Sequence, residues 1–174
     1  YFFWKWLHDF SVKNTVVCGV GVGLTLASKF SGVYIIPIFG LIFVFDLFLN
    51  KQHRNKLVVV QFCIMFAVGI IVLMSTYFFV NFSDFFTGLE RVIDDSRKGR
   101  HAFLLGEFST EGWWYYFFVA FAIKTPIPTL IIIAGALFLL KKRFSQKELF
   151  LLVPIFVWAI AFAFNKVNIG LRHI

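Results

Sequence analysis

From Leu57 to Val80 the chain runs without one charged side chain, and that stretch narrows the folds open to it. A helix rises 1.5 Å per residue, so about 20 apolar residues cross the roughly 30 Å hydrocarbon core of a bilayer. Comparable runs recur at 15–28, 33–49, 113–140 and 149–164. The first is short and reaches position 30 if Lys29 snorkels its ammonium to the interface. The predicted fold class is all-α integral membrane, with about five transmembrane helices over 15–30, 33–49, 57–80, 113–140 and 149–164.

Composition agrees. Hydrophobic residues make up 60% of the chain and charged ones 15%, against about a quarter charged in soluble domains. The formal net charge of +8 raises nucleic acid as a partner. The basic residues, however, lie in short clusters between apolar runs, and no base-reading motif accompanies them. Such clusters read as topology signals and contacts to membrane lipids.

The linkers Lys51-Gln52-His53-Arg54-Asn55-Lys56 and Lys141-Lys142-Arg143, with Lys147, are the most basic. Short basic loops stay cytoplasmic, and one parity satisfies both. The turn Lys29-Phe30-Ser31-Gly32, the loop 81–112 and the end 165–174 then face outward. Within that loop Phe85, Phe86, Leu89, Val92 and Ile93 share one helical face, and Glu90, Arg91, Asp94, Asp95 and Lys98 the other. Thr87 and Glu90 have capping-box spacing, Gly99 marks a stop, and Asp94 with Lys98 forms an i,i+4 pair. The expectation is an amphipathic helix on the outer face, lying on lipid or packed against other loops. Trp113-Trp114-Tyr115-Tyr116 marks re-entry into the membrane as an aromatic belt.

Cys18 and Cys63 both fall in apolar runs and read as packed thiols. The alternation Gly19, Gly21, Gly23 lacks the context and spacing of a nucleotide-binding loop and reads as close helix packing. His8, His53, His101 and His173 are too widely spaced for a metal motif. No cofactor is evident, and a divalent metal shared with other segments stays open.

The chemically suggestive point is Lys124, inside an apolar run and followed by Thr125-Pro126-Ile127-Pro128. A charge in a transmembrane segment costs roughly 2.5–3.5 kcal/mol on insertion scales and usually marks a pathway or ligand site. As one helix, 113–140 would be about 42 Å long, too long for the bilayer. A break with Thr125 as N-cap and Pro126 at the first helical position resolves the mismatch. The new helix start and Lys124 would then converge on an anion such as a lipid phosphate. The plainer alternative is a proline-kinked helix with a snorkelling lysine. Lys29, Arg172 and His173 are further outer-side candidates for binding a phosphate, and Glu107, Trp113 and Tyr115 for lining a substrate pocket, with Glu111 beside them. Singly, Lys29 and Arg172 also fit as interface anchors.

At these residues the sequence resembles a known family. Gly23-Leu24-Thr25-Leu26-Ala27-Ser28-Lys29-Phe30-Ser31-Gly32 resembles the segment around a Lys-Phe-Ser-Gly turn in bacterial members of the protein O-mannosyltransferase superfamily. These are the family 39 glycosyltransferases, akin to the lipid A aminoarabinose transferases. Leu105-Gly106-Glu107, then Gly112-Trp113-Trp114-Tyr115-Tyr116-Phe117 with Lys124-Thr125-Pro126-Ile127-Pro128, and finally Asn168-Ile169-Gly170-Leu171-Arg172-His173 resemble that family's next blocks in order.

The resemblance implies part of a larger polytopic membrane glycosyltransferase with its active site at the outer face, as in a bacterial plasma membrane. It implies a polyprenyl-phosphate sugar donor and a protein or lipid acceptor. The family's catalytic acidic residue lies in an earlier outer loop, so Asp84, Asp94 and Asp95 are not assigned that role. The expectation is an internal piece, inactive alone. The rival readings are a secondary transporter, which shares broken helices and intramembrane charges, and a non-catalytic membrane scaffold.

Overall fold

A computed structural model describes residues 1–50, 53–98, 101–140 and 146–163. The chain is mostly helical and divides into two compact units, Tyr1–Glu90 and Arg91 onward.

The first unit holds helices α1 (Phe2–His8), α2 (Val12–Ser28), α3 (Ile35–Leu49) and α4 (Lys56–Thr76), and the first half of α5 (Ser83–Lys98). A 3-10 turn over Phe30–Tyr34 joins α2 to α3. Local chemistry sets the starts. Ser11 Oγ accepts from the Asn14 N–H at 3.3 Å and Asn55 Oδ1 from the Leu57 N–H at 3.1 Å, satisfying orphan donors of α2 and α4.

Packing of α2 on α4 organises this unit. A Cβ on Gly19 would lie 2.6 Å from the Met65 carbonyl, and one on Gly23 2.6 Å from the Gly69 carbonyl. Gly19 and Gly23, four residues apart, therefore share the face that lets the backbones meet. Gly21 points elsewhere, with nothing nearer than Phe2 Cδ2 at 4.0 Å. The glycine alternation thus holds as a packing device at two of its three positions. Cys18, Val22 and Met65 are buried along this seam. Cys63 is exposed instead, because it lies off the α4 face that carries Met65 and Gly69.

Aromatic side chains fill one end of the unit. Phe3 stacks on Phe39 at 3.8 Å, Phe43 on Phe62 at 4.2 Å, and Trp6 is fully buried beside Phe43 and Phe62. Its indole Nε1 donates to Thr15 Oγ1 at 2.9 Å, meeting the need of a buried polar tip.

Helix α5 is amphipathic, as the periodicity predicts. Phe85 and Leu89 join Val22, Leu26 and Leu73 in a second cluster. The helix starts one turn earlier than the capping-box spacing implied. Thr87 is interior and returns its hydroxyl to the Ser83 carbonyl at 3.2 Å. Lys98 meets Asp95 at 3.5 Å, one turn back by i,i+3, rather than Asp94. Gly99 lies outside the described residues.

In the second unit, strands β1 (Ala102–Leu104) and β2 (Glu107–Ser109) form an antiparallel hairpin, and α6 (Tyr116–Lys124), α7 (Ile127–Leu140) and α8 (Gln146–Ala163) follow. The hairpin adds two short strands to a chain read as wholly helical. Leu104, Tyr116, Phe117 and Ala120 are its buried centre, with Phe162 of α8 packed against them.

Among the described residues two segments are long and apolar enough to cross a membrane, Phe30–Leu49 and Lys56–Thr76. A third follows if Tyr116–Lys124 and Ile127–Leu139 count as one broken span, the axis turning by 118° between them.

Candidate functional site

The break after Lys124 falls where the proline pair places it. The Thr125 N–H donates to the Phe121 carbonyl at 3.0 Å and so completes α6. The next helix opens at Pro126, whose carbonyl accepts from the N–H groups of Thr129 (3.0 Å) and Leu130 (3.2 Å). Pro126, one residue later than Thr125, therefore takes the cap position, and it has no hydroxyl to cap with. The reason is local: Thr125 is already spent on the preceding helix.

This changes the donor inventory. Pro128 has no N–H and Thr129's is engaged, so Ile127 supplies the remaining backbone donor of that first turn. An anion here would meet the positive end of the helix dipole and the Lys124 ammonium more than a fan of amides.

Lys124 is the last residue of α6 and is exposed. It lies four residues beyond Ala120 and seven beyond Phe117, both buried. It therefore extends the packed face of the helix past the edge of the core. Among the described residues no carboxylate pairs with it.

Trp113 and Tyr115 stand at the other end of α6. Both are half-buried against the cluster of Leu104, Tyr116, Phe117 and Ala120. Tyr115 is the cap residue, its carbonyl accepting from Val119 N–H at 3.1 Å, and its ring meets Trp114 edge-on at 5.6 Å. Glu107 opens β2 opposite Leu104 and is exposed, as is Glu111. The hairpin and the aromatic entry thus come together. Lys124 sits about 12 Å further along the helix axis, eight residues at 1.5 Å each from Tyr116.

The hairpin turn is strained. Leu105 and Gly106 both have positive φ, 51° and 96°, the two-residue geometry that matches strand twist. Glycine takes this conformation freely, whereas leucine pays roughly 1–2 kcal/mol for it.

Lys29 lies in the first unit, in extended conformation between α2 and the 3-10 turn, and is exposed. Gly32 is required there, since a Cβ would collide with the Thr25 carbonyl. Phe30 reaches α5, where a Cβ on Gly88 would strike its ring. Arg172 and His173 lie outside the described residues.

Sequence reasoning passed over another polar centre. Asp46, inside the apolar run 33–49, is fully buried and accepts from Asn50 Nδ2 at 2.7 Å. His53 Nδ1 lies 2.6 Å from its other oxygen. An ionisable residue in an apolar span is itself a signal, and Asn50 at i+4 reinforces it. Among the described residues no group of three or more His, Cys, Asp or Glu is arranged to hold a metal.

Compared with known families, with characterised proteins and with solved structures, the chain matches none.

Proposed function

We propose that the chain is part of a membrane glycosyltransferase that moves a sugar from a polyprenyl-phosphate donor to a protein or lipid acceptor. The observation that carries this reading is Lys124, an exposed ammonium at a proline break between two apolar helices. A lipid-linked phosphate has an apolar tail that belongs in a bilayer and an anionic head that needs a cation at such a break. The resemblance of four sequence blocks in order supports the same donor.

In this reading about five spans carry the chain across a bacterial plasma membrane, with the reacting side outward. A carboxylate from an earlier outer loop deprotonates the acceptor hydroxyl, which attacks the anomeric carbon as the sugar–phosphate bond breaks. Lys124 stabilises the charge growing on the phosphate; Lys29, Arg172 and His173 are each, separately, further candidates for binding a phosphate. Glu107, Trp113 and Tyr115 line the approach of sugar or acceptor.

The test is transfer of labelled sugar from polyprenyl-phosphate donors in membranes holding the full-length protein, wild type against Lys124→Met. A loss of more than tenfold at equal protein level supports enzyme and site together. Equal transfer removes Lys124 from the mechanism. Absence of transfer in both, across several donors and acceptors, favours a transporter or scaffold.

A further inference from the structure

At its C-terminal end α4 closes in a way that glycine normally provides. Phe79 N–H donates to the Met74 carbonyl at 3.0 Å and Phe78 N–H to the Ser75 carbonyl at 3.1 Å. These are the 6→1 and 5→2 bonds of a Schellman cap, whose left-handed position is usually Gly. Here Phe78 occupies it at φ 52°, and Phe79 follows at φ 58°. Both bear a Cβ penalty that glycine would avoid.

Packing within the unit does not account for two phenylalanines at this cost. Phe78 is 84% exposed, Phe79 60% and Val80 81%. The neighbouring Phe86 is also exposed, and its ring meets Phe82 edge-on at 5.2 Å. From Tyr77 to Ser83 no residue is charged.

Position supplies the occupant. Helix α4 spans Lys56–Thr76, 21 residues and so about 31 Å, the thickness of a bilayer's hydrocarbon core. With Lys56 held at one head-group layer, the turn that follows Thr76 falls at the opposite boundary. Apolar rings flanked by Tyr77 and Asn81 suit that depth.

We propose that Phe78, Phe79 and Val80, with Phe86, form a membrane anchor that inserts into the lipid boundary and fixes the depth of α4 and the start of α5. The strained cap aims the rings outward, and burial in lipid offsets the strain. Helix α5 then leaves the turn with its apolar side held near the interface.

The test places a nitroxide at position 78, and separately at 79, in the full-length protein with every native cysteine, Cys18 and Cys63 included, replaced by serine. The vesicles are phosphatidylethanolamine and phosphatidylglycerol at three to one. Relaxation by oxygen, which concentrates in lipid, is compared with relaxation by a water-soluble nickel chelate, and a label at Glu90 serves as the water-facing reference. Collision with oxygen several-fold above that with nickel at both sites, reversed at Glu90, is the expected result. Greater access to nickel at 78 and 79 would overturn the anchor. Low access to both reagents would overturn it too, and would show the turn to be covered by protein.

Discussion

His53 Nδ1 and Asp46 Oδ2 lie 2.6 Å apart, with Asp46 wholly buried and His53 three-quarters covered. A carboxylate only accepts, so Nδ1 carries the proton in this contact. Asn50 donates to the other Asp46 oxygen at 2.7 Å, and the His53 ring meets Phe10 edge-on at 4.8 Å. One carboxylate therefore ties the end of α3 to the residues leading into α4. Replacing Asp46 by alanine strips the partner from both donors.

That substitution should cost about 1–3 kcal/mol, the scale on which leaving buried hydrogen-bonding groups without their partner destabilises a fold. Cys18 is buried while Cys63 is exposed, so a Cys63→Ser background leaves Cys18 as the reporter of unfolding. Labelling of Cys18 by a thiol dye during heating in detergent should set in several degrees lower for Asp46→Ala. An unchanged onset would mean that α3 holds its place through Phe39 and Phe43 alone.

The glycines of α2 give a matched set. Gly19→Ala and Gly23→Ala each push a methyl to 2.6 Å from a carbonyl of α4, and backbone cannot yield as a side-chain tip does. Each should destabilise the pair by about 1–3 kcal/mol, the usual cost of overpacking. Gly21→Ala meets open space and should be neutral or slightly stabilising, since alanine is the better helix former. The same thiol-labelling onset ranks the three; a Gly21→Ala loss equal to the others would contradict this packing.

These glycines also show what was legible in the sequence. Residues 19 and 23 are one helical turn apart, so their shared face follows from periodicity, and Gly21's departure from it does too. The break at Thr125–Pro128 was equally legible, because proline's missing N–H and fixed φ act on their own neighbours. The hairpin was not. Its strands are three residues each, and Leu-Gly is not a pair that announces a tight turn. The Asp46–His53 contact was half legible: the charge in an apolar run was visible, but its partner lies beyond the helix end, where chain geometry decides the meeting. For the phosphate candidates, Lys124 is placed by local proline chemistry, while any convergence with Lys29 depends on tertiary arrangement that no spacing rule supplies.

Leu105 offers a test by relief of strain. Asparagine tolerates the left-handed region better than leucine, so Leu105→Asn should steady the hairpin by about 1 kcal/mol. Hydrogen exchange of the β1 and β2 amides should slow by about fivefold, 1.4 kcal/mol being a factor of ten. Gly106→Ala, at φ 96°, should speed it. If Leu105→Asn leaves exchange untouched, the turn does not limit the hairpin's opening.

The proline pair allows the sharpest separation of cause. In Pro126→Ala/Pro128→Ala the backbone regains two N–H donors and loses two rings that clash with the preceding turn. Helices α6 and α7 can then run on as one. Phe118 and Leu137 are exposed and suit paired spin labels, with Cys18 and Cys63 replaced by serine. A straight helix would separate these positions by about 28 Å, whereas the 118° bend brings them to roughly half that. The expected outcome is lengthening towards the straight value; under the proposed transferase reading, sugar transfer would fall with it, since Lys124 would no longer stand at a helix break. Should the distance stay short, the bend is held by α6 packing on α8, where the Phe117 and Phe162 rings lie 4.9 Å apart. Phe162→Ala added to the double proline variant would then release it.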